Sequence, residues 1–269
     1  RLTAYDLPPN IPLVLTQRQE SVLHSVEDAY KNNKNVLIEK SRAEGLTEML
    51  AAWDVHHWLY GYGYKSGWGS RKEELVDKIG DPDTIFARIR RMIYGLPRQM
   101  RPTGYHKTYN PNDNRMRIVN PDNASVIVGE GGINIGRGGR SSNYKVDEYA
   151  TLENPKAVDE ALSYNTNCQI VFSTPLGMNR FYEKRESGQL RVITVGWWTN
   201  PAKTPTWDSG ARNEDSEWYK LQKRKHDPVT IAQEIDIDYN ASVEGVFIPS
   251  TWVRAAVDFD LPSNGPAYG

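Results

Sequence analysis

The sequence predicts an α/β domain in which helices flank a mostly parallel central sheet. Two observations predict this fold. Short apolar runs that suit buried strands alternate with stretches of helical spacing along most of the 269 residues. Several of these runs are followed directly by polar or glycine-rich loops, as the strands of such sheets are. The length suffices for one large domain or two small ones.

Composition narrows the class of protein. The chain carries 33 basic and 34 acidic residues and a net charge of −1, so any nucleic-acid contact must come from a local patch. We find no apolar run near the ~20 residues of a membrane span, and we expect no membrane partner. The single Cys168 excludes an internal disulfide framework and a cysteine-rich zinc site, and it predicts a reducing compartment.

The first elements are a helix, a strand, a loop and a second helix. Thr16 and Gln19 have the spacing of a capping box, and apolar residues then follow helical spacing to Tyr30. The run at 35–39, "NVLIE", predicts a buried strand. A helix is predicted over 45–60, and it ends at the following glycines.

The rest of the chain continues the alternation. We predict a helix that stops near Gly95, a polar helix over 213–226, and a flexible surface loop over 61–69. The predicted strands are "RMRIVN", "ASVIVGE", "YKVD", "CQIVFS", "LRVITV" and the strand-like "IAQEIDIDYNAS".

The loop after the first strand resembles a phosphate-binding loop with a displaced lysine. The usual pattern is G-x-x-x-x-G-K-[ST], and Gly45 and Thr47 fit its sixth and eighth positions. Leu46 stands in the lysine position, while Lys40 stands where the first glycine belongs. A Gly-x-Thr after an apolar run is common by chance. A broken motif, a chance match and a loop that brings its ammonium from the other end therefore remain alternatives.

Two later strands end in polar residues that suit nucleotide chemistry. Asp147 and Glu148 end the strand "YKVD", where one carboxylate can hold Mg²⁺ and the other can orient water. Ser173 and Thr174 end the next strand, where Thr174 can sense a γ-phosphate. The alternatives are a solvated acid pair and an ordinary strand-ending turn.

These motifs in this order resemble the ATPase domain of the phage terminase large subunit, the DNA-packaging motor. The matching segments are "LTQRQ", "KSRAEGLT", "GRGGRS", "VDEYA", "FSTP" and "AQEIDIDY". The resemblance spans roughly residues 10 to 250. It implies a three-layer P-loop NTPase fold of the ASCE type that uses ATP and Mg²⁺.

The resemblance also implies a role for each matching residue. Implied ATP-binding residues are Gln17, Gln19, Lys40, Ser41, Arg42, Ala43, Glu44, Gly45, Leu46 and Thr47. Thr47 and Asp147 would hold the metal, Glu148 would be the catalytic carboxylate, and Ser173 and Thr174 would couple hydrolysis to motion. Arg137 matches an arginine that acts on the neighbouring subunit's nucleotide, and such a finger contributes ~10³–10⁵ in rate. Arg140 is an equal candidate in trans, and Arg42 is a candidate in cis.

Partners and domain limits follow from the same resemblance. It implies a ring oligomer, a pentamer on the procapsid, that acts on double-stranded DNA with the portal protein and the small terminase subunit. The expected location is the host cytoplasm, transiently on the procapsid and not in the mature virion. Residues 1–250 would form the motor domain. Residues 251–269 would be a linker or lid towards a nuclease domain, whose activity we expect to be absent here.

Other interpretations remain open at this point. Another P-loop DNA motor or a helicase-like ATPase would carry similar motifs, although a two-lobed helicase needs a second lobe. A catalytically silent scaffold with an ATPase fold is favoured by Leu46 and opposed by the Asp147–Glu148 pair. Gln19 either contacts adenine or only caps the first helix. The acid-free, arginine-rich segment 84–112 is either a solvated face or a DNA contact.

Overall fold

An eight-stranded sheet forms the centre of the described part of the chain. The computed structural model describes residues 14–106, 109–204, 212 and 214–241. The strands are β1 (Val36–Lys40), β2 (Lys65–Ser70), β3 (Asp113–Asn114), β4 (Arg117–Val119), β5 (Val126–Gly131), β6 (Asn143–Asp147), β7 (Gln169–Ser173) and β8 (Arg191–Val195). Their order across the sheet is β3-β4-β5-β2-β6-β7-β1-β8.

Most of this sheet is parallel. Every neighbouring pair from β5 across to β8 is parallel, whereas β3 and β4 add an antiparallel extension beside β5. The carboxyl ends of β5, β2, β6, β7, β1 and β8 therefore share one edge of the sheet. The predicted α/β class with a mostly parallel sheet is confirmed.

Helices cover both faces of the sheet. The α-helices are α1 (Gln17–Lys31), α2 (Leu46–Tyr60), α3 (Glu73–Val76), α4 (Ile85–Gly95), α5 (Pro155–Asn165), α6 (Arg180–Glu186), α7 (Glu217–Lys225) and α8 (Pro228–Thr230). Helices α1, α2 and α4 pack with Ile38 and Ile170 on one face. Helices α5 and α6 pack with Leu37 and Val171 on the other. Successive strand residues point to opposite faces, so each strand contributes to both cores and the domain has three layers.

Local signals explain why the first helix begins where it does. The Thr16 hydroxyl accepts a hydrogen bond from the Gln19 backbone, and the Gln19 side chain accepts one from the Thr16 backbone. This is the predicted capping box. Helix α2 instead begins at Gly45, whose φ of 71° is left-handed. Its first N–H groups consequently have no side-chain cap.

The prediction of a surface loop over 61–69 is wrong from Lys65 onward, although residues 61–64 do form a loop. Residues Lys65–Ser70 form β2, a buried strand between β5 and β6. Its glycines lower strand propensity, but neighbouring side chains fill the space that a Cβ would need. A Cβ on Gly67 would lie 2.1 Å from the Tyr144 ring, and one on Gly69 would lie 3.0 Å from Ile135. Tertiary packing therefore decides this strand, not propensity.

The predicted strand "IAQEIDIDYNAS" is also wrong where the structure describes it. Helix α8 runs into a π-helical turn, Ile231–Asp236. The apolar residues of this turn, Ile231 and Ile235, pack with Trp197 and Tyr219. Their spacing of four places them on one helical face, and the isoleucine–acid alternation imitates a strand. Helices α5 and α6 were not predicted.

The strand order places three predicted motifs side by side. Strand β7 lies between β6 and β1. Glu39 is opposite Ser173, and Asp147 is opposite Phe172. The loop after β1, the acids after β6 and the Ser-Thr after β7 therefore meet at one edge. None of the helices in the described ranges combines the length and hydrophobicity needed to cross a bilayer.

Candidate active site

A hydrogen bond joins the predicted phosphate loop to the predicted acid pair. The Thr47 hydroxyl, in the first turn of α2, donates to Asp147 Oδ2 at 2.8 Å. The two residues are 100 positions apart in the sequence. The parallel sheet brings them together, because both follow the carboxyl ends of strands that flank β7.

Lys40 faces the same region. It is the last residue of β1, it is half-buried, and its positive charge acts on the carboxylates of both Asp147 and Glu44. Within the described ranges, the Lys40 ammonium forms no hydrogen bond and no ion pair. Its charge also opposes the protonated form of Lys203, a second cation that binds the loop. An unpaired cation near a second cation is an arrangement that an anion would stabilise.

The loop backbone has the form of an anion cradle. Ala43 and Gly45 have left-handed φ angles of 59° and 71°. Left-handed residues within a turn can direct successive N–H groups toward one point. From Ala43 to Thr47 these N–H groups donate to no acceptor in the described part of the chain. The amino end of α2 adds its partial positive charge at the same place.

Residues from the far end of the chain fix the start of the loop. The Ser41 hydroxyl donates to the Ile235 carbonyl at 2.5 Å and accepts from the Trp197 backbone at 3.0 Å. The Arg42 backbone donates to the Glu234 carbonyl at 2.6 Å. The loop therefore rests on the π-helical turn and on the segment after β8.

The acid pair has one half-buried carboxylate, on Asp147, and one exposed carboxylate, on Glu148. Burial raises the pKa of Asp147, while the charge of Lys40 and the hydrogen bond from Thr47 lower it. Glu148 is left-handed, with φ of 54°, and its side chain is 47% exposed. A left-handed residue other than glycine costs about 1–3 kcal/mol and is typical of functional positions.

Arg71 is a site residue that the sequence analysis missed. It directly follows β2, and its Nε lies 3.2 Å from Glu148 Oε2. Arg71 was missed because residues 65–69 were predicted to be a loop and not a strand. Had 65–70 been recognised as a parallel strand, its end would have been expected at the edge that carries the acids.

The coupling residues lie between the loop and the acids, at the end of β7. Ser173 is buried, and its hydroxyl accepts a hydrogen bond from the Ala150 backbone at 3.2 Å. Ala150 follows the acid pair by two residues, so Ser173 is attached to the acid-bearing segment. Thr174 is half-buried beside it. Their coupling role stays a prediction.

The two glutamines differ in their surroundings. Gln19 caps α1 and also donates from its Nε2 to the Glu44 carbonyl at 2.9 Å, which ties α1 to the loop. Both ends of its amide are thus used inside the protein. Gln17 is exposed on α1. The adenine role of either residue stays a prediction.

The three arginine candidates for a finger are all exposed. Arg42 is exposed on the loop, 3.3 Å from Glu234. Arg137 is exposed after β5, and its Nε donates to the Ile133 carbonyl at 2.9 Å. Arg140 is exposed close to the start of β6, towards the opposite edge of the sheet. In the described ranges no hydrogen bond or ion pair joins Arg137 or Arg140 to the loop or the acid pair.

Acids from other segments neutralise much of the arginine-rich segment. Arg88 and Arg91 both bind Glu48, at 3.0 and 2.8 Å. Arg90 binds Asp77 and Asp113, both at 2.7 Å. These pairs favour a structural role for the arginines of α4 over a free DNA-binding face.

The donors around Thr47 and Asp147 fit a magnesium ion. They offer one hydroxyl and one carboxylate, both oxygen ligands, and Mg²⁺ takes its remaining ligands from water and phosphate. No cluster of three or more His, Cys, Asp or Glu side chains suited to a metal occurs among the described residues.

Solved structures share this fold. No protein-family model and no curated protein sequence matches the chain. The ATPase domain of the Thermus phage P74-26 large terminase matches with a TM-score of 0.55 and 15% identity, over 89% of this chain and 99% of that one.

Two longer proteins match as well. The large terminase of the HK97 bacteriophage matches with a TM-score of 0.60, 14% identity and 86% of this chain covered. The large terminase of the thermophilic bacteriophage D6E, solved with ADP, matches with a TM-score of 0.58, 12% identity and 84% of this chain covered. The chain spans about half the length of these two proteins, 52% and 54%. This chain therefore has the fold of large-terminase ATPase domains.

Proposed function

We propose that this chain is a Mg²⁺-dependent ATPase that drives double-stranded DNA into a viral procapsid. The observation that carries the proposal is the hydrogen bond from Thr47 to Asp147, with Lys40 beside them. Two motifs that were predicted separately thereby share one site. The D6E large terminase, which has the same fold, was solved with ADP, and this supports nucleotide binding by this chain.

Binding of ATP would use the loop and its cation. The free N–H groups from Ala43 to Thr47 would donate to phosphate oxygens, and Lys40 would neutralise the β- and γ-phosphates. Leu46, at the usual lysine position, is buried in the core with 2% of its surface exposed, and its side chain cannot bind phosphate. Lys40, at the end of the strand before the loop, would take the place of the usual lysine. Under this proposal the lysine of the motif is displaced, and the loop still binds phosphate.

Hydrolysis would use the acid pair. Thr47 and Asp147 would hold Mg²⁺, which neutralises charge on the phosphates when bound. Glu148 would accept a hydrogen bond from the attacking water and orient it in line with the γ-phosphate. Its side chain is accessible to that water because the left-handed backbone ends the strand abruptly at this residue.

A comparison of two lysines tests binding. Lys40→Ala should weaken ATP binding roughly tenfold or more, because a charge-assisted contact is worth about 1.5–3 kcal/mol. Lys65→Ala is the control, since Lys65 begins β2 at the opposite edge and donates to Gly138. Equal losses in the two variants, measured by calorimetry, would return the loop to a chance match.

Turnover is tested at Glu148. Glu148→Gln keeps the size of the side chain and removes its basicity, so hydrolysis should fall by at least about two orders of magnitude while ATP still binds. DNA-stimulated phosphate release is the measurement. Unchanged release would refute the catalytic assignment, and ATP binding without turnover in the parent chain would indicate a silent scaffold.

Action as a ring is a further part of the proposal. Mixing Arg137→Ala subunits with Glu148→Gln subunits should restore some hydrolysis if the arginine of one subunit completes the site of another. Recovery at no mixing ratio would argue against trans action.

We also propose the portal protein and the small terminase subunit as partners, a pentameric ring on the procapsid, and the host cytoplasm as the location. The linker at 251–269 lies outside the described residues and stays a prediction.

A further inference from the structure

A buried lysine from the segment after β8 binds two residues of the predicted phosphate loop. The Lys203 ammonium lies 2.5 Å from Glu44 Oε1 and donates to the Arg42 carbonyl at 2.9 Å. Only 9% of the Lys203 side chain and 3% of the Glu44 side chain are exposed. Asn200 donates to the second Glu44 oxygen at 3.0 Å, so both oxygens of the carboxylate are engaged.

These contacts hold the part of the loop whose backbone is strained. Glu44 lies between Ala43 and Gly45, the two left-handed residues. The left-handed region costs an alanine free energy, so surrounding contacts must hold it there. Lys203 binds the carbonyl before Ala43 and the side chain after it. Removal of its ammonium would delete one contact on each side of the strained residue.

The Lys203–Glu44 ion pair is not expected to contribute much to the free energy of unfolding. Burial raises the pKa of Glu44 and lowers that of Lys203, so desolvation opposes the charged forms of both. A buried ion pair of this kind is often no more stabilising than apolar residues of similar size, but it selects one geometry. The Lys203 ammonium also lies 4.6 Å from the Trp218 ring centre, which limits its freedom to move.

We propose that Lys203 is a positioning residue for nucleotide binding. Through the Arg42 carbonyl and the Glu44 carboxylate, it holds residues 42–45 in the shape that turns the loop N–H groups toward a triphosphate. This proposal rests on the proposed ATPase function. Lys203 supplies loop geometry and does not touch the reacting atoms.

Kinetics separates positioning from chemistry. Lys203→Met should raise the Kd for ATP by about tenfold or more while kcat at saturation stays within about threefold, the pattern expected of a change in binding common to ground and transition states. Lys220→Met is the matched control. Lys220 lies on the nearby helix α7 and pairs with Asp215 and Glu217, both at 3.5 Å, with its side chain 40% exposed.

A second variant protects the test against misfolding, because Lys203→Met leaves the Glu44 charge buried without its partner. The double variant Glu44→Gln/Lys203→Met removes both charges, and it should fold yet still bind ATP weakly, since the bond to Arg42 is lost. A folded double variant whose ATP affinity is within about twofold of the parent would overturn the proposal.

Amide exchange gives a readout that needs no nucleotide. The Ser41 and Arg42 amides donate to the carbonyls of Val195 and Glu234. Their exchange should accelerate in the Lys203 variants and not in Lys220→Met, and unchanged exchange would overturn the holding role. If the parent chain fails to bind ATP, the proposed function fails. Faster exchange of the Ser41 and Arg42 amides in the Lys203 variants would then still support the role of Lys203 in holding the loop.

Discussion

Removal of the Thr47 hydroxyl tests the contact that joins the two halves of the site. Thr47→Val keeps the shape of the side chain but deletes the donor to Asp147 Oδ2. Asp147 retains its other hydrogen bond, from the Glu148 backbone to Oδ1 at 2.9 Å. One charged hydrogen bond to a largely buried carboxylate is lost and another remains, so we expect a destabilisation of about 1–2 kcal/mol.

The assay combines melting and turnover. A loss of this size lowers Tm by roughly 2–4 °C for a domain of this length. Thr47→Ser keeps the hydroxyl and should melt close to the parent. The proposed function assigns the Thr47 hydroxyl to Mg²⁺, and on that proposal Thr47→Val should also lose most Mg²⁺-dependent ATP hydrolysis. A variant with parental Tm and parental hydrolysis would show that the contact neither stabilises the site nor takes part in it, and would refute the reasoning.

Three further predictions concern groups outside the loop. Arg71→Ala should lower kcat with Tm unchanged, because its half-exposed pair with Glu148 contributes under ~1 kcal/mol but fixes the carboxylate; unchanged phosphate release would contradict this. Burial raises the pKa of Cys168 to about 11, so iodoacetamide at pH 8 should label it, by mass spectrometry, only after unfolding. Rapid labelling of the native chain would exclude the buried position. Burial alone would raise the pKa of Glu27, but hydrogen bonds from Lys31, His57 and Trp53 lower it to about 2. The carboxylate therefore stabilises the fold above its unfolded pKa near 4.5. Solvent screens this partly exposed group, so Glu27→Gln should cost about 1–2 kcal/mol in urea unfolding at pH 7, a difference that shrinks as the pH falls from 4.5 toward 2. A difference that does not depend on pH would refute the assignment.

Local chemistry made much of the fold predictable. The capping box at Thr16 and the left-handed Gly45 act within a few residues, so the sequence is sufficient to place α1 and the start of α2. Continuous apolar runs revealed β1 and β7, which are buried on both faces. The sequence failed at β2, where Tyr144 fills the space beside Gly67, because that contact joins residues far apart in the chain.

The sequence by itself determined the types of group available for nucleotide chemistry. A lysine and a threonine follow one strand, two acids follow another, and the order of the motifs indicates an α/β nucleotide-binding edge. Each signal lies within about ten residues. It therefore depends on local propensity and on residue type, both of which can be read without a fold.

Only the tertiary structure decided which of these groups meet. The insertion of β7 between β6 and β1 sets the distance that Thr47 spans to Asp147. The return of the chain after β8 brings Lys203 to Glu44, 159 residues away, and the end of β2 brings Arg71 to Glu148. The physical reason is that strand order and chain return are fixed by the burial of whole faces, and no short stretch of sequence encodes that burial.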